Sequence, residues 1–296
     1  MPPVFADVEQ TAAQKLIEFA LDEDLAGRGD LTTLAVIPQA AVGSVSIVVR
    51  RPGVVSGLPI VALVFAQVDP QVRVELHGVD GDRVERGTVV AVLTGSTRSL
   101  LIGERTALNF LTHLSGVASL TNQFVQRAAG SRAKILDTRK TLPGWRALEK
   151  YAVRCGGGVN HRMGLYDGVL IKDNHLAAWV GLASRPTLRE AVERARTTSP
   201  KDVTIEVEVD SLEQLRDVLL ARPDIVLLDN MPPATMSQAL AIRDQAAPGV
   251  QLEASGSVTL DTVAAIAATG VDRISIGALT HSAPALDLAF DWGALA

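Results

Sequence analysis

Cysteine is almost missing from this sequence. Its 296 residues include one, Cys155, which excludes an intrachain disulfide and favours a reducing compartment, so a cytoplasmic protein is expected. Aromatic residues are scarce at 4% against 47% hydrophobic, so the core must be built from Ala, Val, Leu and Ile. No apolar run approaches the roughly 18–20 residues of a membrane span. The first ten residues, MPPVFADVEQ, show neither a basic start nor an apolar stretch of signal-peptide type. Positive charge is in deficit too. A net charge of −5 argues against a general nucleic-acid binder.

The charge that is present is unevenly placed. Between Arg132 and Lys172 there are nine Lys/Arg and three Asp/Glu, while the remaining residues carry 19 basic and 30 acidic groups. Taken alone, this island suits a solvated face as well as a binding site. In an acidic protein a local cationic cluster points to a small anion rather than a polyanion.

Length and pattern suggest one smaller α+β part followed by a larger repeating part. In the first, Val8–Glu23 and Leu58–Val68 have helical periodicity, and Val42–Arg50, Val72–Leu76 and Val89–Leu93 read as strands. Thr97–Ala129 is strongly helical, with a break expected near Ser115-Gly116. After Gly130, short apolar runs alternate with helical stretches. Ala133–Thr138, Val169–Ile171, Val203–Val209, Ile225–Leu228, Val250–Ala254 and Arg273–Ile276 read as strands. Helices are expected at Pro143–Cys155, Pro186–Arg196, Leu212–Ala221, Pro233–Ala246 and Leu260–Ala268, with Ser211 and Thr259 as N-caps and Gly270 as a stop. Repeated βα units with buried strands mean a parallel sheet. The expected class is α/β, with an incomplete (β/α) barrel over 118–281, an N-terminal domain over 1–117, and the tail 282–296 packing back on that domain. An open doubly wound sheet is the alternative.

Barrel chemistry lies at the C-terminal strand ends. Here those ends carry Arg139 and Lys140, then Lys172 and Asp173, Glu206 and Glu208, Asp229 and Asn230, Ser255-Gly256-Ser257, and Gly277 with His281. The last two loops have the form of phosphate-binding βα turns, in which glycine lets the backbone approach an anion. Ordinary turns would look similar singly, less so as an adjacent pair. Glu208 and Asp229 at neighbouring strand ends suit Mg²⁺ completed by ligand oxygens, or neutralisation of nearby lysines. The cations Arg139, Lys140, Arg162 and Lys172 exceed what one phosphate needs, which suggests a ligand carrying carboxylates as well. Gly156–Gly158 before Asn160-His161-Arg162 permits an irregular loop over that ligand. Cys155, His113 and His175 read as structural residues.

With those residues in view, the chain resembles the quinolinate phosphoribosyltransferase family, also called nicotinate-nucleotide pyrophosphorylase (carboxylating). The resemblance rests on Asp137-Thr138-Arg139-Lys140-Thr141, Glu149-Lys150-Tyr151-Ala152-Val153, Gly156–Gly158, Asn160-His161-Arg162 and Ile171-Lys172-Asp173-Asn174-His175. It continues through Glu206–Ser211, Leu228-Asp229-Asn230, Glu253–Gly256 and Gly277–Ser282, and reaches back to Glu104-Arg105-Thr106, His113–Gly116 and Gly29–Thr33.

The resemblance implies an N-terminal α/β sandwich joined to an incomplete α/β barrel, in a homodimer or larger assembly. The implied reaction turns quinolinate and phosphoribosyl pyrophosphate into nicotinate mononucleotide, pyrophosphate and CO₂, with Mg²⁺. It implies that Arg139, His161, Arg162 and Lys172 hold the dicarboxylate, with Thr138 beside them, and that Lys140 acts near both substrates. Glu208 and Asp229 would serve the ribose and Mg²⁺, and Ser255, Gly256, Gly277 and His281 the 5′-phosphate. Arg105 would reach the partner subunit's site. Ser257 stands where the family often has glycine, so a positive φ there would strain it. Within phosphoribosyl transfer the alternative is another pyridine or a different carboxylated heterocycle; readings in other classes are a Schiff-base aldolase using Lys140 or Lys172, and a non-catalytic binder of phosphorylated ligands.

Overall fold

Buried positions recur every fourth residue along the first helix, α1 (Asp7–Leu25): Glu9, Ala13, Ile17 and Leu21 form one stripe. Glu9 closes the helix start by accepting the Ala6 N–H at 3.0 Å, and pairs with Arg154 at 2.7 Å. The computed structural model describes residues 3–180 and 187–292. They fall into two compact units. The first comprises Met1–Asn122, Lys140–Gly158 and Ala278–Ala296, and the second Gln123–Arg139 and Val159–Gly277.

In the first unit, α2 (Leu31–Val36) follows α1, capped by Asp30, whose side chain accepts the Thr33 N–H. Strands β1 (Val42–Val49), β3 (Arg73–Leu76) and β5 (Val89–Ser96) join the late β12 (Leu288–Trp292) in an antiparallel sheet of order β12-β1-β5-β3. The chain end thus enters the sheet that its beginning starts, with Ile47 opposite both Phe290 and Ala91. A two-stranded ribbon pairs β2 (Gly53–Val54) with β4 (Arg83–Val84). The apolar α3 (Leu58–Val68) buries Leu58, Ile60, Val61, Val64 and Phe65. Its open N-terminus is closed by buried Asp80, which accepts the Gly57 and Leu58 N–H groups at 2.8 and 3.0 Å and the Tyr151 hydroxyl at 2.8 Å. Burial raises the Asp80 pKa against those hydrogen bonds.

Helix α4 (Thr97–Arg127) runs 31 residues without the expected break. Ser115 and Gly116 are small for another reason. Ser115 Oγ accepts the Ser56 N–H at 3.0 Å and donates to the Ser56 carbonyl at 3.2 Å. A Cβ on Gly116 would lie 2.3 Å from the Pro284 carbonyl oxygen. The pair admits neighbouring backbone, and the helix tolerates its mid-helix glycine at a cost of about 1 kcal/mol. The 117/118 position, where the sequence suggests a boundary, lies inside α4, and the units divide at 122/123.

The second unit holds a six-stranded parallel sheet of β6 (Lys134–Leu136), β7 (Val169–Ile171), β8 (Ile205–Val209), β9 (Ile225–Asp229), β10 (Gln251–Ser255) and β11 (Arg273–Ser275). Its order is β6-β11-β10-β9-β8-β7. A doubly wound sheet has its first strand in the interior. Here the first strand pairs with the last, which is the order of a barrel left open between β6 and β7. The doubly wound alternative is set aside. In the open interval Val159 bridges Leu136 in parallel and donates its N–H to the Ile135 carbonyl at 2.8 Å. The sequence did not mark this single rung, yet it aims Asn160, His161 and Arg162.

Helix α5 (Arg146–Cys155), which follows β6 in the chain, belongs to the first unit. It starts at Arg146 rather than Pro143. The sequence offered no expectation for α6 (Asp173–Val180). Helix α7 (Leu188–Thr198) is capped by Thr187; the expected start at Pro186 lies outside the described residues. Ser211 caps α8 (Leu212–Leu220) as expected. After α9 (Pro233–Ala246), a Thr259–Thr262 turn delays α10 to Val263–Ala268. The short α11 (Ala278–His281) returns to the first unit. No helix among the described residues is long and apolar enough to cross a membrane.

Candidate active site

The polar ends of the second unit's strands organise around Asp137, which follows β6 and is fully buried. A buried carboxylate must be satisfied by donors. Asp137 accepts the Asn160 amide at 2.5 Å and the His161 N–H at 2.9 Å. The glycine-hinged stretch thereby returns to the end of β6. His161 then turns inward. Its Nδ1 accepts the Arg162 N–H at 2.8 Å. Its Nε2 lies 3.1 Å from Glu206 Oε2 and 3.4 Å from Glu253 Oε1. Arg273 Nε donates to the other Glu253 oxygen at 2.7 Å. The resemblance puts His161 among the groups that hold the dicarboxylate. The structure spends both ring nitrogens inside the protein, because two buried carboxylates need the Nε2 proton.

Burial by itself pushes the His161 pKa down. The hydrogen bonds and charges of Glu206 and Glu253 outweigh it and lift the pKa to about 9. The Arg162 N–H on Nδ1 works the other way, since only the unprotonated nitrogen can accept it. In either state Nε2 carries a proton toward the carboxylates. Burial pushes Glu206 up, toward the neutral acid. Glu253 feels the same burial, but its His161 contact and Arg273 hold it below the usual range.

One rung nearer the strand ends, Glu208 shares the Glu206 side of β8 by strand alternation. Lys172, just past β7, reaches it with Nζ 2.8 Å from Glu208 Oε2. Arg162 donates to the Gly168 carbonyl at 2.6 Å. Its pKa is lowered, first by partial burial and then by the charge of Arg139. Glu206 and Asp167 offset part of that repulsion. Thr138 and Arg139 are half-buried.

At the ends of β9 and β10 the Asn230 N–H donates to the Ser255 carbonyl at 2.9 Å, and its side chain donates to Asp229 Oδ2 at 3.0 Å. A Cβ on Gly256 would lie 2.2 Å from Asn230 Oδ1, so only glycine admits that amide. Ser257 has φ +48°; the strain foreseen for serine at this turn is present. Glu208 and Asp229 offer two carboxylates. Among the described residues the three-group cluster with ligand atoms within 4.8 Å of one another is His161, Glu206 and Glu253. Glu208 is paired with Lys172 and Asp229 accepts from Asn230; carboxylate oxygens of this kind are the donor type Mg²⁺ takes, with waters and phosphate oxygens as its other ligands.

Of the remaining expected site residues, Lys140, Arg105 and His281 belong to the first unit. Lys140 is exposed, and its carbonyl accepts the Thr280 hydroxyl at 2.7 Å, next to His281. Buried Glu149 orders the following turn. It accepts the Leu142 N–H at 3.1 Å and faces His113 Nε2 at 2.9 Å. His281 is exposed, with Nδ1 2.6 Å from Ser282 Oγ. Arg105 projects from an exposed position of α4. Gly277 follows β11 in the second unit.

Sequence reasoning missed the supporting roles of Asp137, Asn160, Asn230, Glu253 and Arg273. A signal existed for Glu253 and Arg273. Charged residues inside short, otherwise apolar parallel strands have to be paired.

Comparison with known proteins supplies the context. Residues 30–115 match the N-terminal domain, and residues 117–291 the C-terminal domain, described as quinolinate phosphoribosyl transferase. The chain is 46% identical over 290 residues to nicotinate-nucleotide pyrophosphorylase [carboxylating] of Mycobacterium leprae, covering 97% of this chain and 100% of the relative. It is 41% identical over 278 residues to the probable enzyme of that name from Bacillus subtilis, covering 94% and 92%. Among solved structures, NadC from Streptococcus pyogenes superimposes with a TM-score of 0.89 at 38% identity, covering 97% of this chain and 98% of that one.

Proposed function

The chain belongs to the quinolinate phosphoribosyltransferase family, and from that premise we propose how its residues carry the reaction. The activity is that of a decarboxylating pentosyltransferase, EC 2.4.2.19, acting in NAD biosynthesis. Quinolinate and a phosphoribosyl donor, phosphoribosyl pyrophosphate, become nicotinate mononucleotide, pyrophosphate and CO₂. A Schiff-base aldolase or a passive binder is thereby excluded.

The observation that carries the residue assignment is the gathering of Arg139, Arg162 and Lys172 beyond the strand ends of the second unit, with Arg162 tied to the Gly168 carbonyl and Lys172 to Glu208. With Thr138 they form the clamp for the two quinolinate carboxylates, with His161 behind it. The forks hold the pyridine nitrogen in line with the anomeric carbon. As that carbon becomes oxocarbenium-like, Glu208 and Asp229 favour its positive charge. The nitrogen forms the new bond as the bond to pyrophosphate breaks. Mg²⁺, held by Glu208 and Asp229, would supply charge to the departing pyrophosphate, and Lys140 adds its ammonium to the same end. Ser255, Gly256, Gly277 and His281 receive the 5′-phosphate. The ring nitrogen is then cationic. Loss of CO₂ leaves an electron pair on the adjacent carbon, next to that charge, and the carbon takes a proton. Arg105 acts from the partner subunit in a homodimer or larger assembly, in the cytoplasm.

The test is release of pyrophosphate and CO₂ from quinolinate, phosphoribosyl pyrophosphate and Mg²⁺. Both products should appear in equal amounts. CO₂ from quinolinate without the donor would overturn the order of steps, and no dependence on Mg²⁺ would overturn the metal assignment.

A further inference from the structure

Three charged groups of the second unit lie below the clamp and have no part in the chemistry above: Glu206, Glu253 and Arg273. Glu206 and Glu253 have side chains 4% and 0% exposed. Side chains of this kind are rarely left so deep without a function or a complete set of partners. Their partners form a short chain leading to the mouth. Arg273 holds Glu253 at 2.7 Å. Glu206 Oε2 lies 3.1 Å from His161 Nε2, and Glu253 Oε1 makes an ion-pair contact with the same nitrogen at 3.4 Å. The far nitrogen of the same ring receives the Arg162 N–H at 2.8 Å. The His161 backbone is fixed as well, by its N–H on Asp137.

We propose that Glu206 and Glu253, with Arg273, are positioning residues that lock the His161 ring so that its Nδ1 fixes the backbone of Arg162 and aims that guanidinium at the substrate dicarboxylate. This rests on the clamp proposed above. Neither glutamate touches substrate. They act through His161, whose ring plane is set on one edge by carboxylates from two different strands, β8 and β10. An imidazole held at only one nitrogen can swing about its χ2 axis. Held at both, it presents a fixed acceptor, and a clamp residue gains from such support because a misplacement of about 1 Å costs roughly 100-fold in rate. The direct tie of Arg162 NH1 to the Gly168 carbonyl orients the far end of the same side chain, so the residue is fixed at backbone and tip.

The same ligand atoms lie within 4.8 Å of one another, which invites a buried metal as the rival reading. Charge decides between them. Arg273 already holds one Glu253 oxygen at 2.7 Å. A divalent ion on the other oxygen would displace the Nε2 proton and still leave a net positive charge beside that guanidinium in a buried site, where such repulsion is poorly screened.

The test uses the full-length protein and three variants: Glu206→Gln, Glu253→Gln and Glu206→Ala. Quinolinate binding is measured by calorimetry without the phosphoribosyl donor, and KM for each substrate with kcat is measured separately. Loss of one charge-assisted contact corresponds to roughly 10- to 100-fold. Glu206→Ala should therefore weaken quinolinate binding by about that factor, and so should Glu253→Gln, because an amide whose one oxygen accepts from Arg273 turns its NH2 group toward His161 Nε2; KM for phosphoribosyl pyrophosphate should change less than about twofold. Glu206→Gln, whose amide oxygen still accepts from Nε2, should recover most of the affinity. A merely structural role would move both substrates and the melting temperature together, and that outcome overturns the proposal. So does unchanged quinolinate affinity in a folded Glu253→Gln. Stoichiometric metal in the parent that is lost in Glu253→Gln would also overturn it, in favour of the metal. If the parent itself neither binds quinolinate nor releases pyrophosphate, the clamp assignment fails first, and the two failures are distinguished.

Discussion

Arg162→Ala separates binding from stability in a way that few substitutions do. The guanidinium donates to the Gly168 carbonyl at 2.6 Å, and removing that bond costs about 1 kcal/mol of fold stability. The same substitution relieves the repulsion of Arg139 and gives up the attraction of Glu206 and Asp167, which offset each other in part. The melting temperature should therefore fall by only roughly 2–4 °C. Binding loses more. A charge-assisted hydrogen bond to a carboxylate is worth about 1.5–3 kcal/mol, which is roughly 10- to 150-fold in quinolinate affinity. Because the clamp also orients the ring nitrogen, kcat should fall as well and most activity should be lost. Calorimetric titration with quinolinate, thermal melting and steady-state kinetics on one preparation settle it. Near-normal turnover, or a loss of affinity matched by a large loss of stability, would refute the reasoning.

Other substitutions probe other parts. Ser257 holds φ +48°, where a side chain costs about 1–2 kcal/mol and glycine's extra chain entropy returns about 0.5–1. Ser257→Gly should therefore gain about 0.5–1 kcal/mol in urea unfolding, and a loss would show that the serine side chain contributes to the turn. Arg105→Ala and Lys140→Ala should each be nearly inactive, yet mixed and reassembled they should recover part of the parent activity. Mixed assemblies that stay inactive would confine Arg105 to its own subunit.

Much of the site was legible because its residue types are unusual for their places. Glu208 and Asp229 interrupt apolar strands at one end, and Arg139, Lys172 and Gly256 lie just past such ends, where a charge or a glycine needs a reason. The supporting groups were hidden for the opposite cause. Asp137, Asn160 and Asn230 are common loop residues, and their roles come from backbone donors that meet them only in the folded chain. His161 shows the difference most clearly. The motif places it beside Arg162, but which way its ring turns depends on Glu206 and Glu253, some 45 and 92 positions further along.

The sequence by itself determined the α/β class, the alternation of short strands with helices, the surplus of cations over one segment and the family to which the chain belongs. These follow from local periodicity and from residue types read in order. Tertiary structure alone decided that Ser115-Gly116 marks a close backbone approach rather than a helix break, that β6 pairs with β11 and leaves an interval for Val159, and that His161 faces inward. Each of these depends on partners distant in the chain, and no local propensity encodes which distant carbonyl or carboxylate a residue will meet. The cationic stretch thus belonged to the sequence, and its division into a clamp and a buried support belonged to the fold.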